Sequence, residues 1–324
     1  MLAEQLGELG GGIGDPCLTL QSHQALAVTS LCQGIPAETR GQMERAIALY
    51  DRRRHRDLAF LYGQDPGVAC LAFGAVALWL LGHPDQAARR SAEAVALGRE
   101  LGQPSTLALA LHFDAMLRQY RREGAAAAES AGAATALAAA HGFSFWRAGG
   151  QVLRGWALAE QGALADGIAW MRQGIADWVA TGSETYRTYF LSLLAEMLGR
   201  AGRTGEGLGV LDEGLSLARR TGERFQEAEL HRLRGELLLA REPGEEAARE
   251  AARCFLEALA VARGQGARSL ELRAVTSLAR LYLSQERRPE AKTLLAESYG
   301  RFAEGLETPD LHGARALLEE LSCE

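Results

Sequence analysis

The chain has 324 residues, of which 48% are hydrophobic and 23% are charged, a composition typical of a globular protein with ample length for a large core. Its formal net charge of −6 argues against general nucleic-acid binding, because that binding depends on neutralising phosphates. The five cysteines are scattered and form no C-x-x-C pair, so we expect free thiols in a reducing cytoplasm.

Two segments near the N-terminus carry signals of their own. Residues 1–14 are glycine-rich and lack the basic-then-apolar pattern of a signal peptide, so we expect a flexible tail there. A basic cluster further along is interpreted as a solvated helix end, with a phosphate or acidic-partner site as the alternative. Its members are Arg52, Arg53, Arg54 and Arg56.

The longest apolar run, Val68–Leu81, predicts a buried helix. It is shorter than the ~18–20 residues needed to span a bilayer. We therefore expect a cytoplasmic protein that does not contact a membrane.

From Gly82 onwards, glycines recur at intervals of 20 or 40 residues. Arg122 and Glu242 occupy the vacant positions of this lattice, and a four-residue shift around Glu245–Ala248 restores it at Gly266. Because glycine suits the left-handed cap that ends a helix, each ~20-residue segment is predicted to be one helix and a turn. Two segments then form a hairpin of about 40 residues. The lattice glycines are Gly82, Gly102, Gly142, Gly162, Gly182, Gly202 and Gly222.

Three columns of the repeat contain only glycine, alanine or serine, which would let paired helices approach closely. The columns are Ala75, Ala115, Gly155, Ala195, Gly235 and Ala279; Ala87, Ala127, Gly167, Gly207, Ala251 and Ala291; and Ala94, Ala134, Gly174, Gly214, Ala258 and Ser298.

These columns resemble the small positions of the tetratricopeptide repeat over roughly Gly67–Glu304, and less clearly over Asp15–Arg56. The period of 40 departs from the common ~34. The resemblance implies an all-α, right-handed superhelix of about seven hairpins, closed by a C-terminal helix near Asp310–Leu321 that starts at Pro309. The expected organisation is a tail over 1–14, a solenoid over 15–306 and a capping helix over 307–324.

Particular stretches are similar to the C-terminal repeat region of large bacterial signalling proteins. In those proteins a class III adenylate/guanylate cyclase domain precedes a P-loop ATPase and then an array of maltose-activator-like helical repeats. The matching stretches are Tyr50–Arg56, Phe60–Val68, Leu153–Ala159, Thr221–Phe225, Glu227–Leu238, Ser269–Ala274 and Thr308–Leu311.

Motifs for catalysis are missing from the sequence. No G-x-x-x-x-G-K-[ST] loop occurs, and the single lysine, Lys292, lies on a predicted helix. The histidines have no zinc-ligand spacing, and there is no G-x-S-x-G elbow. We expect a non-catalytic interaction or sensor module, without metal or cofactor, that regulates an ATPase or cyclase to which it is fused. The alternative is the effector-binding arm of an ATP-dependent transcriptional activator.

The resemblance also implies a concave groove lined by the first helix of each hairpin. An aromatic wall followed by mixed charge could hold a protein segment, a peptide or a small polar ligand. The alternative is that these glutamates and arginines are ordinary i, i+4 support on helix surfaces. Besides the groove ligand, the expected partners are upstream ATPase or cyclase modules, without nucleic acid. The groove candidates are His112, Met116, Trp156, Tyr189, Ser192, Glu196, Glu229, Arg232, Glu236, Arg273 and Arg280.

Overall fold

The computed structural model of the chain describes residues 5, 8–9, 12–55 and 57–322. These residues contain sixteen helices of five residues or more and no strand, which confirms the predicted all-α fold. The flexible tail expected over 1–14 falls mostly outside the described residues.

The helices follow one another with short connections. They are α1 (Pro16–Cys32), α2 (Pro36–Leu49), α3 (Leu58–Tyr62), α4 (Pro66–Leu80), α5 (Pro84–Leu101), α6 (Pro104–Tyr120), α7 (Gly124–His141), α8 (Ser144–Glu160), α9 (Leu164–Ala180), α10 (Arg187–Arg200), α11 (Thr204–Thr221), α12 (Glu227–Arg241), α13 (Glu245–Gln265), α14 (Arg268–Ser284), α15 (Arg288–Tyr299) and α16 (Pro309–Glu320).

Seven pairs of helices pack as hairpins, in agreement with the 40-residue period. The pairs are α1 with α2, α4 with α5, α6 with α7, α8 with α9, α10 with α11, α12 with α13, and α14 with α15. The five-residue α3 lies between the first two hairpins, and α16 packs on α14 and α15. The capping helix begins at Pro309, as the sequence predicts.

The turns that end the helices follow the glycine lattice. Gly102 and Gly222 adopt φ values of 66° and 77°, the left-handed conformation that glycine tolerates best. Arg122, in a vacant lattice position, adopts the same conformation with φ at 60°. A non-glycine residue is held there at a cost of roughly 1–2 kcal/mol, so Arg122 stands out as a strained position.

The small-residue columns bring paired helices into backbone contact, and all eighteen members are buried. A Cβ atom added to Gly155 would lie 2.7 Å from the carbonyl oxygen of Gly167, and one added to Gly167 would strike the carbonyl oxygen of Gly155. We call Gly155, Gly167 and Gly174 the glycine seam. No larger side chain fits at its α8–α9 crossing without moving a helix.

The ends of the array meet across the superhelix axis. Gly305 donates its N–H to Asp85 Oδ2 at 2.9 Å, and the Glu304 carboxylate accepts from the N–H groups of Asp85 and Gln86 at 3.2 and 3.1 Å. Glu304 therefore caps the start of α5 from a site more than two hundred residues away in the sequence.

Further contacts complete the closure. The Ser269 hydroxyl donates to the carbonyl oxygen of Trp79 at 2.5 Å, which joins α14 to α4. On the opposite side, Arg224 donates its N–H to the carbonyl oxygen of Cys32 at 2.6 Å. The last hairpin thus meets the second one, and the first hairpin meets the turn between α11 and α12.

Candidate functional site

The inner face contains a cavity of about 250 Å³ with polar walls, which we call the charged pocket. Its walls come from the turn after α6 and from α10, α12, α14 and α16, so it depends on the closure of the array. The lining residues are Arg122, Glu196, Arg232, Glu236, Leu272, Arg273, Thr276, Ser277, Arg280, Pro309, Asp310 and Gly313. Five of the sequence-predicted groove residues are among them: Glu196, Arg232, Glu236, Arg273 and Arg280.

Glu229 lies beneath the pocket and binds its arginines together. Its side chain is 4% exposed and accepts two hydrogen bonds from Arg232, from Nε and Nη2, each at 2.8 Å. Arg273 Nη1 lies 3.4 Å from Glu229 Oε1. Burial alone would raise the pKa of Glu229, but the guanidinium groups of Arg232 and Arg273 lower it to about 2. Glu229 is therefore a permanent anion that neutralises buried positive charge.

Arg273 connects the pocket to three other helices. Its Nε lies 2.8 Å from Asp310 Oδ2 on α16, and its Nη2 donates to the carbonyl oxygen of Tyr120 at 2.7 Å. Its guanidinium also lies over the Trp79 ring, 4.9 Å from the centroid. With 7% of its surface exposed, Arg273 acts mainly as a structural link between the two ends of the array.

Arg122 reaches the pocket from its left-handed turn. Its Nη1 lies 2.5 Å from Glu196 Oε1, and its side chain is 18% exposed. Burial alone would lower its pKa, but Glu196 and Asp310 raise it, so the guanidinium stays charged. Arg122 is not among the groove residues predicted from the sequence. The break in the glycine lattice was the signal that could have found it, since a strained non-glycine residue is often held for function.

Glu236 and Arg280 form the open side of the pocket. The Glu236 side chain is 40% exposed and accepts from Arg232 Nη1 at 2.5 Å and from the Ser277 hydroxyl at 2.8 Å. Arg280 is exposed and makes no ion pair with any described residue. An incoming ligand would therefore meet one carboxylate held in place and one unpaired guanidinium.

The other predicted groove residues do not line an open surface. Trp156 and Tyr189 are 0% exposed, and His112, Met116 and Ser192 are 1% exposed. The expectation that they form an accessible aromatic wall is wrong, because Trp156 and Tyr189 belong to the hydrophobic core. Ser192 points inward and bonds to the carbonyl oxygen of Tyr189.

The stacked rings along the axis, which we call the aromatic spine, include Trp79, Tyr120 and Tyr189. Their centroids are 4.3 Å apart for the first pair and 5.3 Å for the second. His112 lies nearby, 5.3 Å from the ring of Trp146, and burial lowers its pKa to about 4. Its imidazole is therefore neutral near pH 7.

The basic cluster occupies an exposed turn instead of a helix end. Arg52, Arg53 and Arg54 lie in the turn between α2 and α3, and Arg56 falls outside the described residues. Arg52 pairs with Glu100 at 2.5 Å. An exposed apolar residue, Phe60, follows on α3.

The described residues contain neither a metal-ligand cluster nor a membrane-spanning helix. No group of three or more histidine, cysteine, aspartate or glutamate side chains there could hold a metal ion. None of the described helices is both long and apolar enough to cross a membrane.

The fold and the pocket define a superhelix of the tetratricopeptide type with a charged site on its inner face. Two solved structures share this fold. One is the Rap conjugation gene regulator of plasmid pLS20 in complex with the Phr* peptide, with a TM-score of 0.59 and 11% identity over 96% of this chain and 76% of that chain. The other is aspartyl phosphate phosphatase F from Bacillus subtilis, with a TM-score of 0.52 and 12% identity over 93% and 75% of the two chains.

Comparison of sequences finds a longer relative. The uncharacterized protein R02095 of Rhizobium meliloti (strain 1021) is 26% identical over 268 residues, which cover 82% of this chain and 26% of that protein. The chain thus spans about a quarter of the length of this curated relative. No family model matches the chain.

Proposed function

We propose that the chain is a non-catalytic sensor module that receives a ligand in the charged pocket and regulates an ATPase or nucleotide cyclase to which it is fused. The observation that carries this proposal is the pocket itself. It is a small, polar-walled cavity in an otherwise apolar inner face, with Glu236 and Arg280 open to a ligand.

The position of the pocket suits a sensor. Arg122 lies in the turn after α6 and Asp310 in α16, almost two hundred residues further along the chain, yet both line the same cavity. A ligand that binds the closed form more tightly than an open form shifts the population toward the closed form. Binding in the pocket would therefore change how firmly the ends are held together, and a neighbouring module could respond to that change.

A protein or peptide partner is supported by the fold. The Rap regulator, with the same fold, is in complex with a peptide. In this chain the aromatic spine fills the axis, so a ligand inside the pocket is small, and a protein partner would bind elsewhere on the surface. Nothing in the acidic composition favours nucleic acid.

Fusion to a catalytic module is supported by length and by sequence. The chain corresponds to about a quarter of the Rhizobium relative. Stretches such as Phe60–Val68 and Glu227–Leu238 are similar to the repeat region of cyclase and ATPase proteins. The regulated domain would then lie in the remaining part of a longer protein.

The reading frame that encodes the chain tests this proposal. We expect P-loop ATPase or cyclase motifs in the same frame upstream of Met1. A helix-turn-helix motif in that frame would support a transcriptional activator instead. If the frame contains none of these motifs, the proposal of regulation by fusion is contradicted.

Incubation of the purified chain with ATP or GTP tests its non-catalytic character. We expect no turnover, because the sequence has no phosphate-binding loop. Turnover that survives repurification would contradict the proposal.

A further inference from the structure

We infer that the charged pocket binds a small zwitterion, a molecule with one ammonium and one carboxylate group such as a free amino acid. The inference rests on the proposed function only in taking the pocket as the ligand site. It adds the chemical class of the ligand.

The size of the pocket limits the ligand to a small molecule. Its volume of about 250 Å³ lies just below the ~300–1,000 Å³ typical of pockets for drug-sized ligands. One amino acid fits in this space. A longer peptide finds no groove along the predicted aromatic wall, because Trp156 and Tyr189 are 0% exposed.

The charges of the pocket favour a ligand without net charge. Four guanidinium groups are opposed by four carboxylates, three in the walls and Glu229 beneath them. An anion such as phosphate would be repelled by the carboxylates, and a cation by the guanidinium groups. Burying an uncompensated charge is costly, whereas a zwitterion preserves the balance. The guanidinium groups belong to Arg122, Arg232, Arg273 and Arg280, and the carboxylates belong to Glu196, Glu229, Glu236 and Asp310.

The two solvent-exposed groups of the pocket carry opposite charges, as a zwitterion requires. Arg280 makes no ion pair with the described residues and can bind a carboxylate with charge-assisted hydrogen bonds. Glu236, held by Arg232 and Ser277, has 40% of its side chain exposed and can accept from an ammonium group.

Glu236 and Arg280 come to the pocket beside one face of α14. Ser277 and Arg280 lie three residues apart on α14, which places their Cβ atoms about 5–6 Å apart on one face of the helix. Because Ser277 donates to Glu236, this carboxylate lies beside the helix face that carries Arg280, and both residues line the pocket. Adjacent ammonium and carboxylate groups on one carbon can reach both.

Isothermal titration calorimetry of the full chain tests the inference. The twenty amino acids are the probes, each at up to about 10 mM, which saturates a site with a Kd of about 1 mM or tighter. We expect at least one to bind. Its N-acetyl and amide derivatives should bind about tenfold more weakly or worse, because each lacks one charge-assisted contact.

Glycylglycine tests whether the zwitterion is a dipeptide, and inorganic phosphate tests whether the ligand is an anion instead. Binding of glycylglycine more tightly than any amino acid would identify a dipeptide as the natural source within the same class. The inference is overturned if no amino acid binds, if the blocked derivatives bind equally well, or if inorganic phosphate binds and the amino acids do not.

Single substitutions locate the binding site. Arg280→Gln should weaken binding about tenfold or more without lowering the melting temperature, because its side chain is exposed and unpaired among the described residues. Glu236→Gln should weaken binding by a similar factor, and it also removes a charge paired with the buried Arg232, so its melting temperature is measured beside its affinity. Arg287→Gln and Glu290→Gln provide the matched control, since they break an exposed ion pair of 3.2 Å outside the pocket. Equal binding by the pocket and control variants would place the ligand elsewhere and overturn the inference.

The binding experiments test the ligand class separately from the regulatory role. Failure of every amino acid to bind refutes the zwitterion, whereas the reading frame and the turnover assay decide the regulatory role.

Discussion

The glycine seam and the ion pairs of Glu229 beneath the charged pocket are held together by different forces. At the seam, Gly155 and Gly167 bring two backbones together without side chains, and the surroundings are apolar. In the pocket, Glu229 holds two arginines that would otherwise be buried charges without partners. The small-residue columns are complete where helices pack on each other. The glycine lattice of the turns is vacant at Arg122, where a side chain enters the pocket, and at the exposed Glu242.

The largest expected effect is on the pocket side of this comparison. Glu229→Gln leaves Arg232 and Arg273 without their shared anion, and removing one partner of a buried ion pair costs about 3–5 kcal/mol. Urea unfolding should show this loss. The control, Glu257→Gln, changes a side chain that is 67% exposed and should alter stability by less than about 0.5 kcal/mol. Similar stabilities for the two variants would mean that Glu229 is not the anchor of the network.

Acid should reduce stability through His112, near the aromatic spine, at a higher pH than through Glu229 beneath the pocket. The pKa of His112 falls from its usual 6.5 to about 4 in the folded chain, so the unfolded chain binds more protons between these values. The free energy of unfolding should therefore fall by about 3 kcal/mol as the pH drops from 6.5 to 4. For Glu229, whose folded pKa is about 2 against the usual 4.5, the loss of stability comes between pH 4.5 and 2.

Unfolding curves across this pH range identify the responsible groups. His112→Phe should flatten the profile between pH 6.5 and 4, whereas His312→Asn, an exposed control, should leave it unchanged. A profile that stays steep in His112→Phe would assign the acid response to another group.

The seam is tested by adding volume. Gly155→Leu places side-chain atoms against the α9 backbone and should destabilise the chain by about 1–3 kcal/mol in thermal or urea unfolding. Gly132→Leu is the matched control, because a Cβ on this helical glycine has no atom within 4 Å. A near-zero effect of Gly155→Leu would show that the pairing of α8 with α9 is wrong.

The smallest expected effect concerns two residues held in the left-handed conformation, Glu286 and Arg122. Glu286 is exposed and adopts φ at 61°, so Glu286→Gly should stabilise the chain by about 1 kcal/mol. Arg122→Gly relieves the same strain but also removes the ion pair with Glu196, so its gain should be smaller. The difference between the two variants measures what Arg122 contributes to the pocket. Equal gains would mean that it contributes nothing.

The sequence predicted the scaffold because the period of glycines and small residues directly reflects helix ends and helix crossings. It also predicted five pocket residues, since inward positions follow from the repeat. It could not predict that Trp156 and Tyr189 are buried, because burial depends on packing between helices far apart in the sequence, such as the ring contact of Tyr189 with Tyr120. Contacts so distant in the sequence leave no periodic signal.

The most direct test is a crystal structure of the chain grown with the amino acid that binds most tightly. We expect the ligand in the charged pocket, with its carboxylate on Arg280 and its ammonium group on Glu236. An empty pocket, or a ligand bound elsewhere on the chain, would contradict the central claim that this pocket is the site where the array receives its ligand.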